Sequence, residues 1–312
     1  MSPERVGVLV MAHGTPASPD EIEPFYTRIR RGRPPSAEQL ADLVRRYQAI
    51  GGTSPLAART TDQVAALGFR LEAVEPGRYV VGYGSKHTSP SIEEAAAALA
   101  ARDVSAVVGL VLAPHRASMG SEEYLGRAAT ALAASPAAPP FTPVRQWYDA
   151  PGLAEVLGER LVVSLGSLPA GIGPTIVLFT AHSLPERVVA AGDPYPEQLT
   201  ASAAAVAAAA GLDRVGTTWR TAWQSAGRTP EPWLGPDILE VLRRLPSEGI
   251  AAVVVCPIGF VADHLEVLYD VDVEARGVAE EAGLAFARTA TLDDDPRFME
   301  ILAGVVRAAG RD

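Results

Sequence analysis

Glu266, Asp270 and Glu274 recur at intervals of four in PIGFVADHLEVLYDVDVE (Pro257–Glu274), so a helix opening near His264 would stack three carboxylates in one column. Like charges at that spacing repel, and such a column is tolerated where a cation or a mobile proton neutralises it. No Lys or Arg lies between Asp263 and Glu274 to do so. The spacing reads as a path for a divalent metal or for protons. Residues four apart drift around an ideal α-helix, and a local π turn would bring the acids back into line.

The histidine that best meets this path is His182, in TAHSLP (Thr180–Pro185). It follows the apolar run IVLFTA, so a strand holds its backbone while its side chain enters a crevice. All five histidines (His13, His87, His115, His182 and His264) fall at or near a predicted strand end. Neutral imidazole accepts a proton near neutral pH or ligates a borderline metal. Glu266 is its nearest carboxylate partner, with Asp270 and Glu274 behind. Histidine and carboxylate donors without thiolates suit Fe²⁺, Zn²⁺ or Co²⁺.

A second polar set lies early in the chain. Arg28, Arg30, Arg31, Arg33, Arg45 and Arg46 crowd a stretch holding only Glu38 and Asp42 as acids. Arginine forks match carboxylates and phosphates, so this is an anion-binding rim on an otherwise acidic protein. IGGTSPL (Ile50–Leu56) is a glycine-rich turn entering a helix, with Thr53 or Ser54 as its cap. It matches neither GxxxxGK[ST] nor GxGxxG, so nucleotide binding is unsupported. With Arg30, Arg31, Arg46 and Tyr47 it suits an organic acid, and Lys86, the only lysine, adds to the rim beside His87.

Short β-branched runs alternating with helical stretches indicate an α/β chain with parallel sheets. Strands are expected at 6–12, 79–83, 106–113, 143–147, 176–180, 215–219, 251–257 and 285–289. Helices are expected at 37–48, 60–73, 92–102, 121–134, 153–167, 195–210, 236–245, 266–282 and 296–309. The loops MAHGTP, GYGSKHTSP and LAPHRAS of the first half are echoed by FTAHSLP and CPIGFVADH in the second. A loosely duplicated pair of doubly wound domains follows, spanning 1–142 and 143–292, with the linker near Ser135–Pro143 and the segment 293–312 packing back on the first. Ligands of such sheets bind outside the carboxyl ends of the strands, where the polar residues lie.

At 312 residues the chain can bury two cores, and a net charge of −10 argues against nucleic acid as a partner. Its apolar runs are too short to span a bilayer, and its N-terminus does not read as a signal peptide. Cys256 is the only cysteine, which rules out an intramolecular disulfide and a Cys-ligated Fe–S cluster and fits a cytoplasmic location.

Six segments together resemble the ferrochelatase family, and within it the coproporphyrin enzymes of monoderm bacteria. They are EPFYTRIRRGRPP, LVRRYQAIGGTSPL, LVLAPH, FTAHSLPERVVAAGDPYPEQL, WQSAGRTPEPWLGPDIL and CPIGFVADHLEVLYDVDVEA, spread over nearly the whole chain. The resemblance implies two Rossmann-like, chelatase-type domains with four-stranded parallel sheets and a porphyrin cleft between them. It implies insertion of Fe²⁺ into coproporphyrin III during haem biosynthesis, with Fe²⁺ as substrate, no permanently bound cofactor and transient contact with other haem-pathway enzymes. Carried over residue by residue, the catalytic metal pair is His182 and Glu266, and Asp270 and Glu274 form an acidic relay. The porphyrin contacts are Arg30, Arg46, Tyr47, Ser54, Tyr124 and position 13. A tyrosine usually occupies position 13 and ligates the product iron. This chain has His13, whose imidazole is also a good ligand for haem iron.

Two enzyme alternatives share these features: insertion of iron into protoporphyrin IX, and a cobalt or nickel chelatase acting on another tetrapyrrole. A two-lobed periplasmic binding protein would need a secretion signal and no acidic column, and the sequence shows the reverse of both.

Overall fold

The computed structural model describes residues 5–227 and 229–311. Met1–Glu4, Arg228 and Asp312 fall in the N-terminal run, the WQSAGRTPEPWLGPDIL segment and the C-terminal segment read above, and lie outside the described residues.

Eight strands form two sheets, each all-parallel and four-stranded. The first contains β1 (Val6–Ala12), β2 (Tyr79–Ser85), β3 (Ala106–Val111) and β4 (Phe141–Val144), in the order β2-β1-β3-β4. The second contains β5 (Thr175–His182), β6 (Thr218–Gln224), β7 (Ala252–Cys256) and β8 (Ala285–Arg288), in the order β6-β5-β7-β8. The second order repeats the first. Helices cover the faces of each sheet, so the inner strands are apolar on both sides. Every residue of β1 and β7 is buried.

The chain divides after Ala150 and again after Leu292. This corrects the boundary expected at 142/143 and the linker at Ser135–Pro143. The stretch from Phe141 is not a connector, because Phe141–Val144 pairs with β3, from Val107↔Phe141 to Leu110↔Val144. The segment from Asp293 belongs with the first unit. Its helix, Pro296–Ala309, sets Phe298 against Trp147 with ring centroids 5.7 Å apart, and Arg307 donates from Nε to Glu75 Oε1 at 2.7 Å.

Other expectations moved for local reasons. The strand placed at 215–219 begins at Thr218, because Leu212–Val215 is a helical turn closed by Gly216 at φ 66°. As an edge strand, TWRTAWQ needs less apolar character than a central one. A helix at Ile22–Ile29 went unread because Pro24 interrupts the pattern, although proline is tolerated in a first turn. The single helix expected at 266–282 is three pieces: α at Leu265–Leu268, π at Asp270–Ala275 and α at Arg276–Glu281. The Glu274 amide accordingly donates to the Tyr269 carbonyl, five residues back, at 2.9 Å.

Candidate active site

In a sheet ordered 2-1-3-4 the topological switch lies between the first and third strands, and ligands gather outside their carboxyl ends. Each unit places a histidine there. Ala12 ends β1 and His13 follows, while Ala181-His182 closes β5. The same Ala-His pair leaves the corresponding strand of each sheet.

In the second unit His182 Nδ1 lies 2.5 Å from the Ser183 carbonyl oxygen. That carbonyl only accepts, so Nδ1 carries the hydrogen and Nε2 is left facing Glu266 Oε1 at 3.6 Å. His264, which heads the helix bearing Glu266, turns its Nε2 to the other carboxylate oxygen, Oε2, at 3.5 Å. His264 Nδ1 is fixed against the Ala262 carbonyl at 3.0 Å, and its ring packs on Phe260 with centroids 4.8 Å apart. Glu266 is thus held between two imidazoles, one from β5 and one from its own helix cap.

Burial opposes charging these groups, but their mutual attraction outweighs it. The Glu266 carboxylate pushes His182 up to about 9, and His182 and His264 together hold Glu266 well below the usual carboxylate range. Gln224 anchors the arrangement from β6. It accepts from Thr180 Oγ1 at 2.7 Å and donates from Nε2 to the Glu266 carbonyl at 2.8 Å. Asp270, 4 % exposed, accepts a hydrogen bond from the hydroxyl of Ser225, a residue at φ 60°.

The backbone around His182 has no room to spare. Gly259 donates its amide to the Thr180 carbonyl at 3.1 Å, and a Cβ added there would lie 2.5 Å from Ala181 Cβ and 2.9 Å from Ala181 Cα. We expect Gly259→Ala to force β5 and the Pro257–Gly259 turn apart at a cost of about 1–3 kcal/mol. Thermal unfolding of the full chain checks this, and an unchanged Tm would contradict it.

The structure therefore unites His182 and Glu266 and adds His264, which the sequence reading left out of the site. It does not gather His182, Glu266, Asp270 and Glu274 around one point. Among the described residues no group of three or more His, Cys, Asp or Glu is arranged to hold a metal ion. Asp270 and Glu274 follow Glu266 at four-residue steps through the α turn and the π segment.

In the first unit, His13 and His87 lie with ring centroids 4.7 Å apart, and Phe25 packs edge-on against both, at 5.9 and 6.1 Å. Phe25 comes from the helix that the sequence reading missed. Burial, followed by the positive charges of His13, Lys86, Arg127 and Arg28, lowers His87 to about 3, so it is neutral at physiological pH. Gly14 follows His13 at φ 84°, where a Cβ would lie 2.2 Å from Ser85 Oγ. Lys86 is not a free rim cation. Its Nζ pairs with Glu123 at 2.9 Å and sits 5.0 Å above the Tyr124 ring.

The arginine-rich segments supply the remaining expected contacts. Arg30 stacks on Tyr26 at 5.6 Å and exchanges Nε-to-carbonyl hydrogen bonds with Arg33. Arg46 pairs with Asp42 at 3.3 Å. Arg31 is exposed in a turn at φ 55°. Tyr47, 3 % exposed, meets Thr15 Oγ1 at 3.3 Å through its hydroxyl, and Ser54 Oγ accepts the Leu56 amide at 3.3 Å. The fifth histidine, His115, is a core residue: it is 3 % exposed, stacked on Tyr148 at 5.7 Å and lowered to about 3 by burial. No helix among the described residues is long and apolar enough to cross a membrane.

Known proteins resemble this chain at two levels. The sirohydrochlorin chelatase SirB of Bacillus subtilis subspecies spizizenii, solved with cobalt, is similar in fold, with a TM-score of 0.56 over 98% of this chain and 96% of that one at 11% identity. The coproporphyrin III ferrochelatase of Halalkalibacterium halodurans is 41% identical over 98% of both chains. That of Geobacillus thermodenitrificans is 43% identical over 98% of this chain and 96% of its own. The Ferrochelatase family model matches residues 5–309, and with strand-end histidines, a glutamate between two imidazoles and an acid-bearing π turn along that match, the chain belongs to the ferrochelatase family.

Proposed function

We propose that this protein inserts Fe²⁺ into coproporphyrin III, releasing the two pyrrole protons. The observation that carries the reading is Glu266 held between His182 Nε2 and His264 Nε2, at 3.6 and 3.5 Å, where β5 ends. Metal insertion needs an acceptor for protons and a weak, incomplete set of ligands from which the ion can leave. Closed four-ligand cages suit resident structural metals, whereas reactive sites keep positions open. His182 and Glu266 supply one nitrogen and one carboxylate, and Asp270 and Glu274 continue as a row that carries either protons or the ion.

The tetracarboxylate substrate follows from the relatives' names and from the basic segments. Arg30, Arg31 and Arg46, with Tyr47, Ser54, His87 and Tyr124, suit its propionates and ring. Each charge-assisted bond contributes on the order of 1.5–3 kcal/mol. His13 supplies an imidazole able to ligate haem iron. A macrocycle held in a puckered form exposes its nitrogen lone pairs, so rigid anchoring of the propionates favours the reaction itself.

The test is anaerobic Fe²⁺ insertion into coproporphyrin III and protoporphyrin IX in parallel, with Co²⁺ and sirohydrochlorin as a third arm. One lost propionate bond is worth roughly tenfold, so kcat/KM for coproporphyrin should exceed that for protoporphyrin by about tenfold or more. Faster turnover of either other substrate would replace this assignment.

A further inference from the structure

Arg288 ends β8, and its side chain is 13 % exposed. Its Nε and Nη2 donate to Oδ1 and Oδ2 of Asp272, both at 2.8 Å, and its Nη1 donates to Asp263 Oδ1 at 3.1 Å. Thr291 Oγ1 completes the cluster by donating to the same Asp263 oxygen at 3.1 Å. One guanidinium therefore bridges two acids that are nine positions apart in sequence. Neither belongs to the site described above, yet both adjoin it. Asp263 immediately precedes His264. Asp272 stands midway between Asp270 and Glu274 in the π segment, about half a turn around from both.

That placement has a mechanical consequence. Asp263 and Asp272 flank the stretch that carries His264 and Glu266, so the guanidinium pins both ends of that stretch to the end of β8. The direction in which Glu266 faces His182, at 3.6 Å, depends on how this stretch is held. Remove the guanidinium, and the partly buried carboxylates of Asp263 and Asp272, 23 % and 24 % exposed, lose the cation they share, with Thr291 left on Asp263 and the more distant Arg276, at 3.8 Å, left on Asp272. A planar fork can hold three oxygens in fixed directions, which the single ammonium of lysine cannot.

We propose that Arg288 is a positioning residue: by clamping Asp263 to Asp272 it sets the metal affinity of the His182–Glu266 pair without touching the metal. The inference rests on reading that pair as the metal-loading site.

The test is a Co²⁺ titration of the full chain without porphyrin, followed by the d–d absorption that His182→Ala abolishes. Partners that orient ligands from outside the coordination shell typically govern about 10–100-fold in metal affinity, and Arg288→Met should weaken Co²⁺ binding by that factor. Arg288→Lys should weaken it less and restore part of the band shape. Coproporphyrin affinity, measured by fluorescence, should stay as in the unmodified chain. Circular dichroism and thermal unfolding establish that each variant folds; if Arg288→Met does not, Arg288→Lys decides alone. Unchanged Co²⁺ binding in a folded variant overturns the proposal. So does loss of metal and porphyrin binding in equal proportion, or absence of Co²⁺ binding in the unmodified chain. Normal Co²⁺ binding that falls in Arg288→Met, in a protein that metallates no porphyrin, would sink the proposed reaction and leave this inference standing.

Discussion

His182→Ala should lose iron insertion by on the order of 10²–10⁴-fold while still binding coproporphyrin. The size of the effect follows from geometry. Nδ1 is committed to the Ser183 carbonyl, so Nε2 is the atom that meets Glu266, and alanine removes it while leaving every arginine of the basic segments in place. Stopped-flow metallation under anaerobic conditions gives the rate, and porphyrin fluorescence gives the binding. Full turnover in a folded His182→Ala protein would overturn the assignment of this residue. Weakened porphyrin binding with unchanged turnover would move His182 from metal loading to substrate anchoring.

Glu266→Gln should cost on the order of 10²-fold or more in insertion and should also change how the protein responds to pH. In the unmodified chain burial lowers His182, but the Glu266 charge outweighs it and brings the imidazole to about 9. The amide carries no charge, so burial is opposed only by the Ser183 carbonyl and the Asp270 charge, and His182 should titrate well below 9. The sign of the linkage is fixed for each partner. His182, raised, contributes stability that is complete below 6.5 and lost as pH rises through about 9. Glu266, depressed, contributes stability that is present above 4.5 and lost as pH falls through its lower folded value. The stability difference between the unmodified chain and Glu266→Gln should therefore be greatest between pH 4.5 and 6.5 and shrink towards pH 9. Proton and metal compete for the same pair, so Zn²⁺ insertion by the unmodified chain should climb over that alkaline range. Histidine ring-proton NMR, assigned with His182→Ala, follows the titration directly. A His182 resonance that titrates unchanged in Glu266→Gln would sink this electrostatic account.

How much of this was readable beforehand depends on what each feature is made of. The strands announced themselves because parallel strands covered on both faces must be apolar throughout, as VGVLVMA and AVVVC are. The histidines at their ends were visible because each run stops at a polar residue, and strand ends are where open sheets place ligands. The carboxylate column, and the π turn that its spacing calls for, came from periodicity. Hidden from the sequence was the other side of that turn. Val271 and Ala275 of the π segment are buried in the core with Ile238 and Val241. Phe25 beneath His13 and His87 was masked by a proline that the first turn accommodates.

By itself, the order of apolar, polar and charged residues determined the alternating elements, the duplicated plan, and the pairing of a strand-end histidine with a row of acids. The tertiary structure alone decided that His264 turns back onto Glu266, that Ser225 serves Asp270, and that Arg288 joins Asp263 to Asp272. Local spacing constrains which face of an element a residue occupies. Contacts between side chains on different elements depend on how those elements pack, and a hydrogen bond a few ångströms long fails if that packing shifts by one.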